Sequence, residues 1–151
     1  MTDRPGRATT HTMVTNLSFT AQESLLAAMV IMAASGKRMS DAEVALMTRL
    51  VRDLPAFAEA TPEDIARVSE QCTTLLVRRD GLEDAFTLMR EALPMRLRET
   101  AYLLACEVAA ADGDVLQEEL QLLNSLRLGL DLDLLVAGAI ERAARARFQV
   151  L

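Results

Sequence analysis

Two stretches of this chain follow one plan, and that plan limits the fold more than any other feature of its 151 residues. Ala33-Ala34-Ser35-Gly36 aligns with Ala110-Ala111-Asp112-Gly113, and upstream Leu26 falls on Leu103, Ala28 on Ala105 and Ile31 on Val108. After a one-residue gap Glu43 falls on Glu119, and Val44, Leu46, Met47 and Leu50 fall on Leu120, Leu122, Leu123 and Leu126. Each copy reads as a helix, a glycine-containing loop and a second helix with an acid in its first turn. One such helix-loop-helix cannot cover its own apolar face, so two copies are expected to pack together, around an approximate two-fold axis.

Start and stop signals divide the rest of the chain into helices. Thr20-Ala-Gln-Glu23 and Ser40-Asp-Ala-Glu43 are capping boxes, in which a hydroxyl and a carboxylate each accept a backbone N–H left free in the first turn. Leu25, Ala28, Met29 and Met32 follow the first, up to Gly36; Val44, Met47, Leu50, Val51 and Leu54 follow the second, up to Pro55. The short connection predicts a helical hairpin. Thr61-Pro62-Glu63-Asp64 opens a third helix with a cap, a first-turn proline and acids that complement the dipole; its stripe is Ile65, Val68, Cys72 and Leu75, up to Asp80-Gly81.

Leu82, Phe86, Met89 and Leu93 mark a fourth helix ending near Pro94, and Leu97, Ala101, Leu104, Val108 and Ala111 a fifth. Leu120, Leu123 and Leu126 mark a sixth closed by Gly129; Asp131 is read as the cap of a seventh with Leu132, Leu135, Ala139 and Ala143 inward. No stretch alternates as a strand does. The expectation is an all-α, single-domain bundle of about seven helices over residues 17–151, built from two pseudo-repeated helix-loop-helix units. Residues 1–16, polar around the lone His11, read as a flexible leader.

Composition narrows the function classes. Apolar residues make up 51% and aromatic ones 3%, with no Trp, so the core is expected to be aliphatic and helical. A net charge of −6 and a pI near 4.8 argue against nucleic acid as a partner. The longest apolar run, Leu25 to Ala34, is ten residues, against about 20 for a bilayer span. With no apolar signal core, the expected setting is cytoplasmic, without membrane insertion. Cys72 and Cys106 lack CxxC spacing and read as buried, reduced thiols. Arg142, Arg145 and Arg147 read as complements to a helix C-terminus, with a phosphate patch as the alternative.

The second loop, "AADGDVLQEEL" at 110–120, carries the chemistry worth weighing. Asp112, Asp114, Glu118 and Glu119 surround Gly113 and could offer oxygens to Ca²⁺, Mg²⁺ or Mn²⁺. An EF-hand is excluded, because the twelfth residue from Asp112 is Leu123 rather than Glu; zinc is disfavoured by the lack of His and Cys in the loop. The alternative is a plain helix corner. Gly113 would then end one helix left-handed, Asp114 with Gln117 would form a variant capping box, and Glu118 and Glu119 would complement a dipole. No phosphate loop, nucleophile elbow or nucleophile–base pair is present, so no enzyme is expected.

The segments "LLACEVAAADGDVLQEELQLLNSLRLGLDLD" at 103–133 and "AAMVIMAASGKRMSDAEVALMTRLV" at 27–51 resemble the TerB-like family, tellurite resistance protein TerB and its relatives. The resemblance covers residues 20 to 145, and the family's Ala-Asp-Gly…Glu loop stands here as Asp112, Gly113 and Glu119. It implies an all-helical bacterial protein tied to tellurite and stress resistance, whose acidic clusters bind divalent cations. The first copy departs from the pattern, with Ser35 in place of the aspartate and Lys37 after Gly36; Leu116 stands where a small polar cap is expected. Two readings follow: a cation-binding protein using the second loop, or an interaction module that binds a partner helix or self-associates, for which Met29, Met32, Met39 and Met47 are the residues to test.

Overall fold

The computed structural model describes residues 17–35, 39–111, 113 and 115–151. Seven α-helices run in the order α1 (Ala21–Ala34), α2 (Asp41–Asp53), α3 (Pro62–Leu76), α4 (Gly81–Ala92), α5 (Met95–Ala110), α6 (Gln117–Gly129) and α7 (Leu134–Arg147), with a 3₁₀ turn at Pro55–Phe57. No strand occurs among the described residues. The leader at 1–16 and the loop residues Gly36 and Lys37 lie outside the described residues.

Two helices make the centre. Every residue of α1 from Ser24 to Ala33 is buried, as a helix apolar all round must be; the expected stripe of Leu25, Ala28, Met29 and Met32 was too narrow. Its most extensive neighbour is α5, in which Ala101, Tyr102 and Leu104 to Ala109 are buried. Outside this pair, α3 and α4 cover α1, while α6 and α7 cover α5. These are the first helices of the two sequence copies. Burial agrees at Ala28 and Ala105, at Ile31 and Val108, at Met47 and Leu123, and at Leu50 and Leu126, and differs at two other aligned pairs, where Leu26 and Leu46 are buried and Leu103 and Leu122 only half-buried.

The hairpin arms are placed differently from expectation. The closest neighbours of α2 are α5 and the 3₁₀ turn rather than α1. Val44 and Leu120, both assigned inward, are 45% and 47% exposed.

Capping follows the sequence closely. Glu23 N donates to Thr20 Oγ1 and Thr20 N to Glu23 Oε1, each at 3.0 Å; Glu43 N donates to Ser40 Oγ at 3.1 Å. At α3, Thr61 N donates to Asp64 Oδ2 at 2.8 Å. That bond, with the Thr61 hydroxyl and Arg67, holds the Asp64 carboxyl below its usual range. Arg67 also reaches Glu23 at 3.7 Å, tying the starts of α1 and α3 together.

The start of α7 is a correction. Asp131 does not cap it: Asp133 does, its Oδ2 accepting from Leu135 N at 3.1 Å and Val136 N at 3.3 Å. Asp131 instead closes α6 in the left-handed conformation, φ 56°, with its N–H on Leu128 O at 3.1 Å and Leu132 N–H on Arg127 O at 3.0 Å. This pair of bonds is a Schellman closure with aspartate where glycine is usual. The buried residues of α7 are Ala137 and Ala144, two turns apart on one face, while Leu135, Ala139 and Ala143, expected inward, are exposed.

Asp131→Val is expected to cost about 1–2 kcal/mol, because a β-branched residue is strained at positive φ, whereas Asp131→Gly should be neutral or stabilising. Chemical denaturation of the two variants distinguishes them. Gly129 is needed for a different reason: a Cβ there would lie 2.8 Å from the Cβ of Phe86 on α4.

Candidate functional site

The corner between α5 and α6 is built by backbone chemistry that the sequence announces. Helix α5 stops at Ala110, Gly113 N–H returns to Ala110 O at 3.0 Å, and Gly113 has φ 87°, a conformation that glycine adopts freely. Nothing lies within 4 Å of a Cβ placed there, so the corner is open to solvent. The first residues after it, Val115 and Leu116, are exposed at 39% and 50%.

Helix α6 then begins with Leu116 as its N-cap, a residue with no side-chain acceptor. Glu119 supplies half of a capping box instead, its Oε1 accepting from Leu116 N at 3.4 Å. Glu119 is half-buried and Glu118 exposed. Asp112 and Asp114 lie outside the described residues, and so does the Asp114–Gln117 box proposed from sequence. Among the described residues no three His, Cys, Asp or Glu side chains gather as a metal set. The donor chemistry of the corner is uniform: four carboxylates within residues 112–119, without nitrogen or sulfur ligands, which suits a hard divalent cation.

Behind the corner lies a polar cluster that sequence reasoning missed. Glu107, one turn before the end of α5, is 4% exposed and pairs with Arg147 Nε of α7 at 2.8 Å. Arg147 thus has a specific partner in addition to its place at a helix C-terminus. The fully buried Tyr102 donates its hydroxyl to Glu141 of α7, and burial followed by that carboxylate pushes the phenol up. Sequence gave no signal for pairs about 40 residues apart, beyond an acid interrupting the apolar run of α5.

Both cysteines are buried and free. Burial pushes the Cys72 thiol up to about 11 and the Cys106 thiol up to about 12. Neither should react with a disulfide reagent at pH 8 while folded, and both should react once denatured, as a thiol count with and without denaturant would show. Above the usual thiol value of 9.0 the unfolded chain ionises first, so this effect lowers stability as pH rises past that point and is silent below it.

A groove adjoins the corner. Helices α6 and α7 straddle α5 and leave a space of ≈ 610 Å³, with Gly113 and Val115 on its wall and Cys106 among its lining. By contrast, Met29, Met32 and Met47 are core, at 0%, 2% and 4% exposure, and of the four suggested methionines Met39 alone is exposed. The suggested Met groove is therefore absent at those three buried positions. No helix among the described residues is long and apolar enough to cross a membrane.

Comparison with known proteins agrees with the architecture. No curated protein and no solved structure matches the chain. The family model described as Tellurite resistance protein TerB matches residues 22–134, well over half of the 151, from the start of α1 to the first residue of α7. With its all-helical bundle and the Asp112, Gly113, Glu119 loop in the matched span, the chain belongs to the TerB family of tellurite resistance proteins.

Proposed function

We propose that this is a non-catalytic, tellurite-resistance-type protein of the stress response that binds a divalent cation at the α5–α6 corner. What supports the reading is the donor chemistry: four carboxylates in one eight-residue stretch around an exposed turn, one of which, Glu119, also accepts the N–H of Leu116 at the helix start. Asp112, Asp114, Glu118 and Glu119 would hold the ion, with water completing its shell. The positive end of α6 opposes this, which favours a weak site over a tight structural one.

An ion held there would screen four like charges that fall within eight residues of sequence. Heat of binding is the test. Calcium, magnesium or manganese titrated into the protein should give a saturable signal in the range of about 10⁻⁵–10⁻³ M, as exposed all-oxygen sites do. Asp112→Asn with Glu119→Gln should abolish it; an unchanged isotherm would assign the signal elsewhere.

A further inference from the structure

Helix α7 is held to the bundle less by apolar packing than by two polar contacts. Alone among the seven helices, it buries no side chain larger than alanine: Ala137 and Ala144 are buried, while Val136, Ile140 and the adjoining Phe148 are only half-buried. Small side chains let it lie close along α5, its one extensive neighbour. Little apolar surface leaves water in that seam, and such area sets the apolar stabilisation. Two pairs add to it: Glu141 accepts the Tyr102 hydroxyl, and Arg147 Nε meets Glu107 at 2.8 Å. The α5 members of both pairs are buried and the α7 members exposed. With α7 in place its side chains satisfy groups that are costly to bury alone; with α7 gone, water reaches those groups instead.

The pivot is equally defined. Leu130 and Leu132 are buried, and Leu132 N–H closes α6 on Arg127 O. The chain is therefore anchored as far as Leu132, and the pivot falls at Asp133, the N-cap of α7. The segment matched to the family ends one residue later, at Leu134, so it comprises α1 to α6. The space of ≈ 610 Å³ between α6 and α7 leaves that side of the helix unpacked. Elements with few buried apolar contacts open locally, below the free energy of global unfolding. We propose that α7 is a releasable strap, which swings off α5 as one unit about Asp133 while α1 to α6 stay folded, and so bares Tyr102, Cys106 and Glu107. Cys106 stands one turn beyond Tyr102 on the same face of α5 and is buried, so its thiol reports the opening. The buried Cys72 lies on α3, which packs on α1 and α4, and reports unfolding of the remainder.

Slow thiol labelling of the full-length protein is the test. With a small disulfide reagent, followed over hours and assigned by peptide mass, Cys106 should be labelled at least about tenfold faster than Cys72. Glu141→Ala and Arg147→Ala each leave a buried group of α5 without its partner only while α7 is in place. Each should therefore speed Cys106 at least about tenfold and leave the Cys72 rate unchanged. Both side chains are exposed, so the variants should keep the native circular dichroism. Hydrogen exchange should show the amides of residues 138–147 opening together, faster in each variant by the factor seen for Cys106. Equal labelling of the two cysteines would overturn the proposal, as would variants that speed both alike, because α7 would then open only with the whole chain. Rapid Cys106 labelling under still-protected α7 amides would overturn it too, by assigning access to the groove rather than to a moving helix. So would exchange limited to the last turn of α7, which is end fraying.

Discussion

Gly81→Ala is expected to destabilise the protein by about 2–3 kcal/mol, against the ordinary trend in which alanine gains about 0.5–1 kcal/mol over glycine within a helix. Gly81 is the first residue of α4, and a Cβ there would sit 1.8 Å from the carbonyl oxygen of Leu75 and 2.7 Å from its carbon. Both atoms are backbone at the end of α3, so no rotamer change relieves the overlap. Either the α3–α4 turn opens or the buried Leu75 and Ala85 beside it move. Gly138→Ala in α7 is the control, because nothing lies within 4 Å of a Cβ there; it should stabilise by about 0.5–1 kcal/mol. Urea midpoints moving in opposite directions would show that close approach, not helix propensity, decides the first case.

Leu26→Ala should cost about 3–5 kcal/mol, the range for a leucine removed from a packed interior that cannot collapse. Leu26 is 0% exposed on the central helix, among Leu25, Met29 and the facing α5. Its sequence counterpart Leu103 is only half-buried, and Leu103→Ala should cost about 1 kcal/mol, in proportion to the apolar area withdrawn from water. Thermal or denaturant unfolding of the two variants measures the difference. Equal losses would mean that the two central helices are buried alike, contrary to the packing described above.

The internal pattern made the helices legible, with their caps and their buried positions over most of α2 to α6. It was legible because local chemistry decides those features: a threonine three residues before a glutamate, a proline in a first turn, leucines at helical spacing. It failed where two local solutions competed. Asp131 and Asp133 are both acceptable caps, and only the left-handed closure of α6 through Asp131 shows which of them starts α7. Val44 and Leu120 each stand fourth in their helix and are exposed, a position near a helix end that hydrophobic spacing alone does not distinguish from the core.

The same division runs through the candidate site. Gly113 and Glu119 were readable as parts of a helix corner, since a left-handed turn and a first-turn acid are local requirements. The Glu107–Arg147 and Tyr102–Glu141 pairs were not, because they join helices far apart in the chain. Nor was the groove between α6 and α7, which exists only because both helices pack on α5 rather than on each other.

The most direct measurement of the central claim is an amide NMR titration of the full-length protein with Ca²⁺, Mg²⁺ and Mn²⁺, the last read by paramagnetic broadening. Saturable changes confined to residues 112–119 are expected, reached by about 1 mM metal for a weak oxygen site and removed by Asp112→Asn with Glu119→Gln. Unmoved signals at that concentration, or changes spread evenly over the acidic surface, would contradict it and leave "AADGDVLQEEL" as a helix corner alone.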